Sequence, residues 1–292
     1  MTSFLFKLIF RLLASLPLRW LHILGTLLGH ITFAMSKQYA ARTEENLRQS
    51  RLATDEKHYA TLLKQTIDEA GKSIVELPWI WGRPLEQVCA TVKSCHGWEH
   101  VAAAHARGKG IIFLTPHWGC FEVVGLYVGQ HLPLTCLYRS PRQAWLEKIM
   151  RNGRERGLTR LATADVSGVR LLYKALKRGE AIGLLPDQVP SKGEGEWVEF
   201  FSRPAYTMTL SGRLAQTSGA TVLLAFAERL PRGQGYILRF EPLPLNYSKP
   251  VPLQINAALE RVIAISPAQY LWSYNRFKIP SGVLPPDAVK EQ

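Results

Sequence analysis

Apolar residues crowd the first 36 positions of the chain: Phe4, Leu5, Phe6, Leu8, Ile9, Phe10, Leu12 and Leu13, then most of 21–35. From there the pattern changes twice. Residues 39–81 read as helical, with Thr43-Glu44-Glu45-Asn46-Leu47 opening one segment and 55–75 forming a second. After about residue 90, short apolar runs of β type alternate with longer segments of helical spacing. Strands are expected near 91–95, 111–115, 134–138, 158–162 and 181–186, separated by helices near 98–107, after 117, at 142–156 and at 167–178. A helix near 209–218, strands at 221–227 and 235–241, and one or two helices over 253–272 complete the chain. Strands joined through helices of this length need crossover connections, which predicts an α/β fold with a mostly parallel, mixed sheet flanked by helices. The expected organisation is an N-terminal helical segment, 1–36, and one α/β domain, 37–292, whose first part, 37–85, is a helical preamble.

Lys7, Arg11 and Arg19 are the only charges in the first 36 residues. No cleavage site of small residues follows an apolar core, so a secretory signal is not indicated. The longest charge-free run, 21–36, is short for a spanning helix. At about 100° per residue Lys7, Arg11, Arg19, His22 and His30 fall within an arc of roughly 140° if one helix continues through Pro17. That arrangement predicts a membrane anchor lying in the interface, with cationic stems reaching toward anionic headgroups. A buried pair of core helices is the alternative.

The run Ile111-Ile112-Phe113-Leu114 stops at Thr115-Pro116, and His117 follows, with Glu122 five positions on. This puts His117 just past the carboxyl end of a buried strand, where open α/β sheets bind ligands. A His beside a carboxylate can draw a proton from a hydroxyl, the carboxylate fixing the ring tautomer and stabilising the imidazolium. The expected pair is His117 as base and Glu122 as its orienting carboxylate. Two more strands end in polar groups: Tyr138-Arg139, and Leu184-Leu185-Pro186-Asp187-Gln188. Arg139 fits a phosphate, and Asp187 could position a hydroxyl or an arginine. Arg151, Arg154, Arg156 and Arg160 form a basic stretch suited to phosphates or an acidic carrier. The aromatics of 197–201, together with Trp272, Tyr274 and Phe277, read as core or as walls of an apolar pocket.

Lys and Arg number 36 against 23 Asp and Glu, a formal charge of +13 among 292 residues. The partners are therefore expected to be anionic, whether nucleic acid, membrane surface or acidic carrier. The four cysteines show no CxxC spacing and read as reduced thiols. Cys95, His96, Glu99, His100 and His105 lie close together without the spacing of a zinc site, so no metal is expected. There is no GxSxG elbow, Walker lysine loop or GxGxxG.

Taken in order, His117-x4-Glu122, Tyr138-Arg139, Arg154-x2-Gly157, Asp187-Gln188, Phe200-Phe201 with Pro204-Ala205-x-Thr207, and Gln269-Tyr270-x-Trp272 with Arg276-Phe277-Lys278 resemble a known set. They resemble the secondary, lauroyl/myristoyl-type lipid A biosynthesis acyltransferases within the glycerolipid acyltransferase superfamily. The resemblance extends from the N-terminal segment to about residue 280. Two places depart from the family pattern: Trp118-Gly119-Cys120-Phe121 after the His, and Ser202-Arg203 after the paired Phe.

The resemblance implies transfer of a fatty acyl group from acyl carrier protein to a hydroxyl of a lipid A precursor, or another phosphorylated glycolipid, at the cytoplasmic face of the inner membrane. It implies His117 and Glu122 as catalytic residues and Arg139, Arg154, Asp187 and Gln188 as substrate-binding residues. No metal, no other cofactor and no nucleic-acid partner is expected. Backbone N–H groups around 118–120, or Arg139, would receive the oxyanion. A phospholipid or other glycolipid acceptor, and a catalytically silent membrane-surface binding protein, stand as alternatives.

Overall fold

A computed structural model describes residues 2–141 and 143–286, with the side chains of 2–5 outside the description. Two helices open the chain, α1 (Thr2–Ser15) and α2 (Leu18–Met35), followed by α3 (Lys37–Gln49), α4 (Glu56–Val75), α5 (Leu77–Gly82) and α6 (Leu85–Cys89). The alternation then runs β1 (Val92–His96), α7 (Trp98–Ala106), β2 (Ile111–Leu114), α8 (Phe121–His131), β3 (Leu134–Tyr138), α9 (Ala144–Arg154), β4 (Thr159–Thr163), α10 (Val166–Lys177) and β5 (Ala181–Leu184). A hairpin of β6 (Gly195–Phe200) and β7 (Arg203–Met208) follows, then α11 (Leu210–Ser218), β8 (Thr221–Arg229), β9 (Tyr236–Pro242) and α12 (Val251–Ile265). Local chemistry sets several of these starts. Asp55 and Asp165 accept the N–H of His58 and Gly168, capping α4 and α10.

Seven strands form one sheet in the order β1-β9-β8-β2-β5-β3-β4. All neighbours are parallel except β8 and β9. The β2 run is central and buried on both sides, which is why it is apolar at every position. Ile112 and Leu114 enter one core with α10 and α12, while Ile111 and Phe113 enter the other with α7 and α8. The expected mostly parallel α/β architecture is therefore present. The stretch 195–208, read from sequence only as core or pocket aromatics, is a separate antiparallel hairpin. In it Trp197 pairs with Tyr206 and Phe200 with Arg203. Arg142, which opened an expected helix, lies outside the described residues.

The N-terminal region differs from its expected form. Pro17, which lacks an N–H, separates α1 from α2, so no single helix carries the five cationic positions on one arc. His22 is buried against Glu76, its Nε2 3.3 Å from Oε2, and His30 Nε2 is 2.9 Å from Asp68 Oδ1. Both histidines thus face α4 rather than a headgroup layer. Gly25 and Gly29 of α2 meet Gly71 of α4 so closely that a Cβ on Gly25 would stand 2.7 Å from the Lys72 Cα, which only glycine permits. The opposite side of α2 exposes Trp20, Ile23, Leu27, Leu28, Ile31 and Met35, and α1 exposes Leu8, Ile9 and Leu12. No helix among the described residues is long and apolar enough to cross a membrane.

A buried ion network joins this helical region to the sheet. Arg229, at the end of β8, binds Glu76 through Nε and Nη2 and Glu69 through Nη1 at 2.7 Å. Tyr236 donates to Glu76 Oε2 at 3.0 Å. Burial alone would raise the Glu76 carboxyl, but the Arg229 charge, His22 and their hydrogen bonds overcome it and hold the group at about 2, below the usual 4.5. A depressed carboxylate stabilises the fold fully above its unfolded value and loses that contribution as pH falls toward its folded value. Replacing Glu76 by Gln takes from Arg229 its two-point carboxylate partner and leaves it the carboxylate of Glu69 alone, and the expected cost is about 3 kcal/mol at pH 7 in urea unfolding. The variant should also lose the parent's fall in stability contributed between about pH 4.5 and about 2; an equally steep fall over that window would show that another group causes it.

Candidate active site

Strands β2 and β5 pair in parallel register, Leu114 opposite Leu184, and the Thr115 N–H donates to the Leu184 carbonyl at 3.0 Å. Each chain then leaves the sheet through a proline, Pro116 or Pro186, so His117 and Asp187 emerge three residues past paired positions. They meet. The His117 backbone N–H donates to Asp187 Oδ2 at 2.8 Å, and ring Nδ1 lies 2.8 Å from Oδ1. Asp187 is 2 % exposed. Burial alone would raise its carboxyl, yet electrostatic attraction to the His117 ring, the two hydrogen bonds from that residue and the nearby Arg276 hold it below the usual carboxylate range. An ionised Asp187 only accepts hydrogen bonds, so it fixes the Nδ1–H tautomer and leaves Nε2 with a lone pair. That lone pair faces Gln188, whose amide nitrogen is 3.1 Å away.

Further groups brace this pair. The Phe121 ring packs edge-on against the imidazole at 5.0 Å between centroids. Tyr270 is buried beside Asp187; burial first, and then that carboxylate, push its phenol well above the ordinary value. Arg276 is locked by the Tyr206 carbonyl and the Thr207 hydroxyl at 2.8 and 2.6 Å. The turn after His117 is equally fixed. Trp118, Gly119 and Cys120 N–H groups donate to the carbonyls of Pro116, Gln269 and Ala227. Gly119 has φ +58°, and a Cβ there would stand 2.0 Å from the Ala227 oxygen. Arg229 Nη2 donates to the Gly119 carbonyl at 2.7 Å, so the buried ion network ends on this turn.

Two expectations are corrected here. The carboxylate that orients His117 is Asp187, not Glu122. Glu122 sits in the first turn of α8, where consecutive side chains diverge by about 100°. Phe121 takes the side toward His117, and Glu122 turns to Arg154, which binds it through Nε at 2.9 and 3.1 Å and through Nη2. Trp81 Nε1 adds a third donor at 3.1 Å. The backbone N–H groups of 118–120, expected to receive an oxyanion, are already committed to carbonyls. Trp81 carried no sequence signal, because a tryptophan in a helical stretch reads as core. Its contact with Glu122 spans 41 positions of chain.

His117, Glu122, Arg139, Arg154 and Gln188 line one cavity of about 560 Å³. Asp187 lies behind His117 rather than on the wall. The cavity has an apolar limb between α8 and the strands β3 and β4, walled by Val124, Leu126, Val128, Leu134 and Leu161. Cys136 lies on this limb, and burial pushes its thiol up to about 12, so it is present as the uncharged SH. Exposed Arg139, Arg170 and Arg213, which follow β3 or stand on α10 and α11, also line the cavity, with Asp165 and Glu194. The site thus joins a basic mouth, a paired imidazole and an apolar recess.

Comparison with known proteins agrees in extent with this single architecture. The family described as bacterial lipid A biosynthesis acyltransferase matches residues 1–279. The lipid A biosynthesis lauroyltransferase of Escherichia coli (strain K12) is 26% identical over 278 residues, covering 93% of this chain and 90% of that protein. The lipid A biosynthesis palmitoleoyltransferase of the same strain is 27% identical over 273 residues, covering 90% and 87%. A lipid A biosynthesis acyltransferase of Haemophilus influenzae is 30% identical over 186 residues, covering 60% of this chain and 56% of that protein.

The Glu122–Arg154 pair lends itself to a double-variant cycle. Arg154→Met leaves a nearly buried carboxylate without its cation and is expected to destabilise the protein by about 3 kcal/mol in chemical denaturation. Adding Glu122→Gln should recover a substantial part of that loss. Strictly additive effects would mean that the two side chains do not stabilise one another.

Proposed function

We propose, for a chain that belongs to the bacterial lipid A biosynthesis acyltransferase family, a general-base mechanism in which His117 and Asp187 move a fatty acyl group from acyl carrier protein to a hydroxyl of a lipid A precursor. The observation that carries this reading is the His117–Asp187 pair at the junction of a basic mouth and an apolar recess. The acceptor hydroxyl takes the place of the Gln188 amide at His117 Nε2 and gives up its proton there. Asp187 keeps the ring in the productive tautomer and stabilises the imidazolium. The alkoxide oxygen attacks the thioester carbonyl, forming the new C–O bond and a tetrahedral oxyanion. Collapse of that intermediate breaks the C–S bond, and the departing thiolate recovers the proton from the imidazolium.

With the 118–120 amides committed elsewhere, the displaced Gln188 carboxamide is the side-chain donor best placed for the oxyanion. Glu122 holds Arg154 on the wall at the entrance of the apolar limb. Arg139, Arg170 and Arg213 supply the charge for acceptor phosphates, and the +13 balance favours an acidic carrier. The exposed apolar faces of α1 and α2 rest in the inner-membrane interface on its cytoplasmic side, which brings the mouth to its lipid acceptor.

With acyl carrier protein thioester and a lipid A precursor as substrates, His117→Ala should abolish transfer. Asp187→Asn should lower kcat by about 10⁴-fold with KM little changed, the pattern expected when the carboxylate holding a general-base imidazole becomes an amide. Full turnover by either variant would remove this mechanism. A loss on Glu122→Gln of the same size, with native kcat in Asp187→Asn, would return the orienting role to Glu122. For the membrane contact, the Ile23→Glu/Leu27→Glu variant should no longer co-float with anionic lipid vesicles while keeping its melting temperature. Undiminished flotation would place the contact elsewhere.

A further inference from the structure

The inner end of the apolar limb is shaped by one missing side chain. Along α8 the cavity wall runs from Phe121 and Glu122 through Val124 and Gly125 to Val128, a distance of about 9 Å from Glu122 to Val128 at the helical rise. Gly125 stands one turn past Glu122. A Cβ built on it would meet a single atom within 4 Å, the Cys136 Sγ at 3.8 Å, so beyond that contact the position opens into the cavity. The next glycine of the same helix, Gly129, is the reverse case: a Cβ there would fall 1.8 Å from the Thr159 hydroxyl oxygen. Helix and strand therefore close on each other just beyond Gly125. Across the limb, Cys136 Sγ rests over Gly183 of β5, where a Cβ would come within 2.9 Å of it, and this sulfur forms the opposing wall.

Glycine in a helix interior costs stability relative to alanine, and no positive φ or close backbone approach demands it at 125. The open space is what the residue provides. We infer that Gly125, facing Cys136, sets the length of the acyl chain accepted from the donor, by leaving room for the chain to pass Glu122 and Arg154 and stop where α8 meets β4. The donor chain is the occupant this limb fits. Its thioester carbonyl must lie beside His117 at the mouth, and a recess that closes at Gly129 and Thr159 admits a chain methyl end first. This inference rests on the acyl-transfer reading of the site and adds to it the residue that selects among donors.

The test is competition between saturated acyl carrier protein thioesters of graded length, with mass spectrometry of the acylated product. Gly125→Leu fills the inner limb and should move the preferred chain shorter. Each methylene displaced from an apolar wall is worth about fourfold in relative kcat/KM, so a two-carbon shift appears as about a fifteenfold change in product ratio. Gly125→Ala should shift the ratio in the same direction by less, and Cys136→Ala, which removes the facing sulfur, should shift it toward longer chains.

Melting temperature is the control, because Gly125→Ala removes a poor helix former and should leave the fold at least as stable. An unchanged length profile in Gly125→Leu, in protein that still transfers acyl groups, would overturn the inference while leaving the general-base reading intact. Absence of transfer by the parent chain with every donor would overturn the proposed function instead, and the inference with it.

Discussion

The contact on which the site depends is the double engagement of Asp187 by His117, once through the backbone N–H and once through the ring. It exists because β2 and β5 are paired in register and both leave the sheet through a proline after the last paired residues. One carboxylate therefore fixes the path of the chain after β2 and the tautomer of the imidazole that follows it. Its burial would ordinarily favour the neutral acid; the imidazole, the two hydrogen bonds and Arg276 keep it charged. Burial makes a charge costly there, and both carboxylate oxygens of Asp187 are accordingly engaged by His117.

A second set of charges extends this order into the N-terminal helices. Arg229 reaches from β8 to Glu76 and Glu69 on the helical side and to the Gly119 carbonyl on the turn after His117. His22 of α2 touches the same Glu76. The helices with exposed apolar faces are thus connected, through one buried guanidinium, to the turn that carries His117. The glycine contacts between α2 and α4 give this connection a rigid geometry, since neither helix can shift without moving backbone against backbone.

The recess behind the imidazole follows the same economy of space. Large apolar side chains line it, and its depth is set where α8 carries Gly125 and then Gly129 against Thr159. Arg154 and Glu122 neutralise one another where the recess meets the mouth. The exposed cations on the cavity wall come from the end of β3, α10 and α11 and the apolar lining chiefly from α8, β3 and β4, so different elements supply the part suited to charge and the part suited to hydrocarbon.

The strand runs, the crossover helices and the position of His117 at a strand end were legible in the chain. Burial on both faces demands continuous apolar strands, and a proline just after such a run, as at Pro116 and Pro186, marks where the chain leaves the sheet. The strand ends at Arg139 and at Asp187-Gln188 were legible for the same reason. The other cations of the mouth, Arg170 and Arg213, were not, and of the basic stretch read as a phosphate footprint Arg154 is bound to Glu122 and Arg156 to the carbonyls of Ile80, Arg83 and Gly153. The hairpin of β6 and β7 was not, because its aromatic pairs look the same in sequence whether they serve a core or a two-stranded ribbon. Nor was the identity of the partner carboxylate. Glu122 is five residues from His117 and Asp187 is seventy, and sequence distance favoured the first. The direction in which a helix presents its first turn, and the neighbour a strand acquires in the sheet, are set by packing among segments far apart in the chain. Local sequence thus determined which residues could do chemistry and at which edge of the sheet. Only the tertiary structure decided which of them face each other, because hydrogen bonds and ion pairs depend on distances that the order of residues does not contain.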